Sequence, residues 1–278
     1  MSLLDILAAL FSAVLHAGWN AVVKARPSPA EAMTSQMLIG SVAALPAFWL
    51  TGLPALAAWP WMIATVLANL VTLWALFHAY EHGAFGVVYP VMRALSVMIV
   101  VPVSTLMVGD RLTVGALFGI ALIVGALTIL GLGARRGGDF GPKALAWTAV
   151  AGAFTAVYVL CDGTGVRLSG TPLGYAFSVS ILNFVCTWRV LAPTVGLRQL
   201  AFGDWRRSVP VAVAATVSYA LFLWVIAHAP IAPSAALRDT SAVFAVLISI
   251  VALREPFTRS RLVAVLLAAA AVPLLRLV

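Results

Sequence analysis

The chain has 278 residues, of which 63% are hydrophobic and only 9% charged, with a formal net charge of +8. Soluble domains carry charge on about a quarter of their residues, so this composition excludes one. The two cysteines, Cys161 and Cys186, lie in apolar runs without matching histidine spacing, which argues against a disulfide framework or a structural metal site.

A helix needs about 20 mostly apolar residues to cross a bilayer. Ten such runs follow one another, at 2–23, 31–50, 60–80, 84–108, 112–132, 142–166, 172–192, 206–229, 232–252 and 258–276. They are continuous rather than alternating, which rules out a transmembrane barrel. The expected fold is therefore all-α and polytopic, with ten transmembrane helices and no appended soluble domain. Met1–Asp5 has no positive charge and the first run passes residue 20, so a cleaved signal peptide is not expected.

In the first helix His16, Trp19 and Asn20 fall three and four apart and share a face. Pro27 and Pro29 stop it. The second helix carries Gln36, and 51–60 reads as an interfacial loop. The third brings Asn69, then Trp74 and His78 one turn apart. The fourth places Tyr89-Pro90 just before Arg93, and a proline there frees a carbonyl and permits a kink. Gly115 and Gly119 in the fifth helix allow close approach of a neighbour.

The glycine-rich segment 133–143 divides the chain, with 1–133 and 144–278 as halves and 134–143 as linker. The sixth helix echoes the first, Phe154-Thr155-Ala156-Val157 matching Phe11-Ser12-Ala13-Val14, and carries Tyr158 and Asp162. The seventh holds Asn183 and the eighth Tyr219 and Trp224. The ninth opens on a proline-broken stretch leading to Arg238-Asp239, and the tenth is rich in alanine and leucine.

The basic excess has a side. Twelve of the 17 Lys and Arg residues, from Lys24 and Arg26 to Arg259 and Arg261, fall in the loops of one face. Arg111, Arg167 and Arg276 fall on the other, and Arg93 and Arg238 lie within the runs. The positive-inside rule puts the first face in the cytoplasm and both termini outside. This pattern is a topology signal and not a nucleic-acid patch.

Residues 74–113 return without a gap at 219–258. Ala75-Leu76-Phe77 falls on Ala220-Leu221-Phe222, Arg93 on Arg238, Ser96 on Ser241, Asp110 on Glu255 and Thr113 on Thr258, each pair 145 positions apart. Five helices per half is odd, so the second half enters from the opposite side. Such inverted repeats place a transporter's binding site near the midplane.

These repeats, each closing on an element such as Val108-Gly109-Asp110-Arg111-Leu112-Thr113 or Leu253-Arg254-Glu255-Pro256-Phe257-Thr258, resemble the EamA family of the drug/metabolite transporter superfamily. His16-Ala17-Gly18-Trp19-Asn20, Tyr89-Pro90-Val91-Met92-Arg93 and Arg238-Asp239-Thr240-Ser241 are similar to a bacterial branch of it. The resemblance covers nearly the whole chain. It implies a ten-helix secondary transporter of the bacterial inner membrane, related to amino-acid exporters of the YddG type. It also implies a cavity lined by helices 1, 3, 4, 6, 8 and 9, with helices 5 and 10 peripheral. Two departures from the family stand out: Ser96-Val97 and Ser241-Ala242 replace a frequent Glu-Pro pair, and Asp110 replaces a glutamate.

An arginine at the bilayer centre costs about 2.5–3.5 kcal/mol even on the lenient insertion scale. Arg93 and Arg238 are accordingly the leading candidates to hold a carboxylate or phosphate. The other reading is that they satisfy carbonyls freed by Pro90 and Pro233, or pair with acids. Trp19, Asn20, Trp74, His78, Tyr89, Tyr158, Tyr219 and Trp224 complete the expected substrate-binding set. Asp239 could pair with a base on another helix, take a coupling proton or contact an amine. Asp162 shares that menu, but Gly163, Gly165 and Arg167 behind it read as a hydrated outer end. His16 reads as a packed polar residue with a coupling role as its alternative. Trp59, Trp61, Trp147 and Trp205 read as interfacial, and Asp110 and Glu255 as structural.

No nucleotide, metal or nucleophile motif occurs, so neither cofactor nor enzymatic activity is expected. The expected partners are the bilayer and a small-molecule substrate, for a monomeric carrier without nucleic-acid contacts. The expected function is alternating-access export of carboxylate-bearing metabolites, amino acids foremost. Organic cations are the alternative, or another anion such as a sugar phosphate.

Overall fold

The computed structural model describes residues 1–46, 48–83, 85–109, 112–135, 140–244, 247–248 and 258–275. These are helical almost throughout, with one isolated bridge between Gly83 and Phe140. The principal helices are α1 (Leu3–Lys24), α2 (Pro29–Ala44), α3 (Trp59–His82), α4 (Phe85–Val103), α5 (Val114–Arg135), α6 (Pro142–Leu168), α7 (Pro172–Leu191), α8 (Trp205–His228), α9 (Ile231–Asp239) and α10 (Arg259–Leu275). Among the described residues, six helical segments are long and apolar enough to cross a membrane, in α1, α3, α4, α6, α7 and α8. Asp110, Arg111, Arg254, Glu255 and Arg276 lie outside the described residues.

Local signals set the helix starts. Ser2 and Asp5 form a capping box at α1, each side chain accepting from the other's backbone N–H. Ser28 and Thr171 cap α2 and α7 ahead of a proline, which fits the first turn because its missing N–H is not needed there.

Two sequence-derived helices need correction. The run 31–50 is helical only to Ala44 before a turn and the short helix Phe48–Thr51. Pro46, which has no N–H to donate, interrupts it. In the ninth helix Pro233 breaks nothing, because it sits in the first turn of α9. The interruption comes after Arg238-Asp239, at Thr240, whose hydroxyl bonds back to the Leu237 carbonyl at 2.6 Å. Pro90 and Pro102 lie inside α4, which ends in the wider turn Ser104–Val108.

Polarity is inside and apolar surface outside. Leu7, Phe11, Val213 and Leu266 are exposed, while Ser12, Arg93, Asp162, Ser218, Arg238 and Asp239 are buried. Water rewards the opposite arrangement, whereas lipid rewards this one. The molecule is a membrane-embedded helical protein.

Extensive contacts run between α3 and α6, α1 and α8, α2 and α7, and α5 and α10. α4 packs on α5 and α6, and α9 packs on α1 and α4. Ser12 and Ser218 tie α1 to α8, each hydroxyl donating to the other's carbonyl at 2.7 and 2.8 Å. Arg167 donates to the carbonyls of Ile226 and Ala229, capping the end of α8.

A polar cavity between the helices

A cavity of about 160 Å³ opens among α1, α2, α3, α4, α6, α7, α8 and α9. The resemblance implied six of these walls. α2 and α7 add Met33, Gln36, Met37, Ser180 and Asn183; Gln36 and Asn183 stand out in the sequence as polar residues within apolar runs but lie outside the expected substrate-binding set. Of the expected site residues, His16, Trp19, Asn20, Tyr89, Arg93, Tyr158, Asp162, Tyr219 and Arg238 line the cavity.

Trp74, His78 and Trp224 are not brought to its wall. Trp74 is 41% exposed, and with His78 it packs against Trp147, centroids 5.0 Å apart in each case. Trp224 packs against His228 at the end of α8, the rings tilted by 45° with centroids 5.3 Å apart. Their helices do line the cavity, through Leu73 and Leu76 on α3 and Tyr219 on α8, but these rings project from other faces. Trp147 therefore belongs to an aromatic cluster and is only partly buried, while Trp59, Trp61 and Trp205 are exposed.

Arg93 is fully engaged at its tip. One terminal nitrogen, Nη1, donates to Asp239 at 2.9 Å. The other, Nη2, contacts His16 Nε2 at 2.6 Å and donates to the Tyr89 hydroxyl at 3.0 Å. Arginine can only donate, so His16 Nε2 accepts and its proton sits on Nδ1. Asp239 thus takes the partner role left open for it, joining α9 to α4 through a buried ion pair.

Arg238 has the opposite surroundings. Its guanidinium lies 4.2 Å from the centroid of the Phe222 ring, a contact worth about 2 kcal/mol when desolvated. Its Nε and Nη1 have no hydrogen-bond partner although the residue is 5% exposed. His16 Nδ1, Trp19 Nε1 and Arg93 Nε share that state. Among the described residues, every buried side-chain atom without a partner is thus an N–H donor that belongs to a residue lining this cavity.

Asp162 corrects the sequence reading more sharply. It is not hydrated at an outer end but fully buried. Thr65 and Tyr219 donate to its two oxygens at 2.9 Å each, and Tyr175 donates at 3.3 Å. The glycines that suggested exposure serve packing instead. A Cβ on Gly163 would strike Ile231, and one on Gly165 would lie 2.6 Å from the Tyr175 hydroxyl. Thr65, Tyr175 and Phe222 were missed from sequence; the closely spaced glycines were the available signal for Tyr175.

No family model matches the chain, and no curated protein matches it. A solved structure described simply as the crystal structure of a protein superimposes with a TM-score of 0.76 over 99% of this chain and 96% of that one, at 16% identity. At that identity the likeness speaks for the fold alone.

Proposed function

We propose that the chain is a secondary transporter of the EamA type, working by alternating access and exporting small carboxylate-bearing metabolites, amino acids foremost, across a bacterial inner membrane. The observation that carries this reading is the set of orphaned donors. Buried polar groups are nearly always paired, and a cavity whose unpaired atoms are all N–H groups suits a ligand rich in acceptors. Arg238 supplies the only one of these donors with a charge not already matched by a contacting acid.

The packing supports an inverted repeat of 1–133 and 144–278. Exchanging the first five helices for the last five turns the α3–α6 contact into α8–α1 and α4–α6 into α9–α1. It also turns α3–α7 into α8–α2, and leaves α2–α7 and α5–α10 unchanged in kind. The basic loops favour cytoplasmic 1–2 and 5–6 connections with both termini outside.

Asp162 favours a second reading, export of organic cations, because it is a buried acid in the same cavity. Counterflow in proteoliposomes without a pH gradient separates the two. Labelled amino acids should exchange and labelled quaternary amines should not. Arg238→Gln should abolish exchange while leaving folded yield intact. Cation exchange indifferent to that change would overturn the carboxylate reading.

A further inference from the structure

The cavity has two poles of opposite sign that do not touch. Arg238, His16 and Trp19 all line the cavity and carry unpartnered N–H groups, which makes them its donor pole. Asp162 is the acceptor pole, held by hydroxyls from α3, α7 and α8. Arg93 and Asp239 cancel one another in a direct contact, but Arg238 and Asp162 form no ion pair of that kind. Burying two separated charges is expensive, and a bridging ligand of matching charges relieves both.

We infer that Asp162 is the residue that selects for an amino group, and that the substrate is a net-neutral zwitterion. Its carboxylate sits on Arg238 with the His16 and Trp19 donors, and its ammonium sits on Asp162. This inference rests on the carrier reading above and narrows it. The formal charges of Arg93, Arg238, Asp162 and Asp239 sum to zero with His16 neutral, so a ligand with a net charge leaves one charge uncompensated in a low-dielectric space. The remaining wall includes Met33, Met37, Leu73, Leu76 and Met92. Thioethers adapt to many shapes, so an apolar side chain is admitted with little discrimination among such chains. The three hydroxyls on Asp162 fix its oxygens in place, which makes the ammonium requirement the strict one.

The test is competition in counterflow with the full-length protein and labelled L-leucine and L-phenylalanine. Competitors are the 2-oxo acid and the amine corresponding to each, with L-glutamate and L-lysine as charged amino acids. Removing one partner from a buried charge pair should weaken each analogue at least about 30-fold. In Asp162→Asn the preference for the amino acid over its 2-oxo acid should shrink to about threefold or less. A 2-oxo acid that competes as well as its amino acid on the wild-type protein overturns the inference and leaves a general carboxylate carrier. If the folded wild-type protein exchanges neither amino acid but does exchange a labelled 2-oxo acid, the inference alone falls; if it exchanges none of these carboxylates, the carrier reading falls with it. The wild-type series decides without the variant, should Asp162→Asn fail to fold.

Discussion

Replacing Asp239 by Asn should destabilise the protein far more than any change at Arg238. The Asp239 and Arg93 side chains are 6% and 5% exposed and meet at 2.9 Å. Removing one member of such a pair leaves the other charge buried and uncompensated, at a cost of about 3–5 kcal/mol. Asparagine keeps an oxygen that can still accept from Arg93, so the expected loss lies near the lower end of that range. Among the described residues Arg238 makes no ion pair, and Arg238→Met removes a buried charge while keeping an apolar stem against Phe222. Its stability should be no lower than that of the wild type. Unfolding of the three proteins in mixed micelles, followed by circular dichroism, measures the differences. Equal stability of Asp239→Asn and wild type would refute the assignment of Arg93–Asp239 as the structural pair. An Arg238→Met loss as large as that of Asp239→Asn would refute the unpaired state of Arg238.

Two further outcomes address motion and sidedness. Ser12 Oγ and Ser218 Oγ are 3.2 Å apart, so Ser12→Cys/Ser218→Cys in a background without Cys161 and Cys186 should cross-link on oxidation. If α1 and α8 move relative to one another in transport, cross-linking should slow exchange on the order of tenfold or more, reversibly on reduction. Unchanged exchange in fully cross-linked protein would refute that movement. Lys143 is exposed at the start of α6, and Lys143→Cys in the same background should react with an impermeant maleimide only from the cytoplasmic side. Labelling in intact cells would invert the topology and the side assigned to every site residue.

Much of the architecture was legible because lipid imposes a simple rule: backbone polar groups must be satisfied within each segment. Long apolar runs therefore announced helices such as α6 and α8 within a few residues of their ends. The errors fell where side chains rather than runs decide. Pro46 lies inside an apolar stretch but ends a helix, whereas Pro233 lies in a helix's first turn and is harmless. Composition over a window of 20 residues does not register where in a turn a proline falls.

The candidate site shows a deeper limit, because matching positions acquired different surroundings. Arg93 and Arg238 look equivalent in the two halves, yet Asp239 follows one and Ala94 follows the other. The duplicated position thus supplies one neighbouring acid for two arginines. The side chains of Arg238 and its neighbour in sequence diverge on the helix, and Asp239 reaches across to Arg93 on α4. The second arginine is left with Phe222 and the cavity. Asp162 was misread for the converse reason. Its neighbours in sequence are small, but the space they leave is filled by Tyr175 and Ile231 from elsewhere in the chain. Local sequence shows that a charge is costly, and only the fold shows which charge is already compensated. Here that distinction separates a structural arginine from one available to a ligand, although the duplication makes the two look alike.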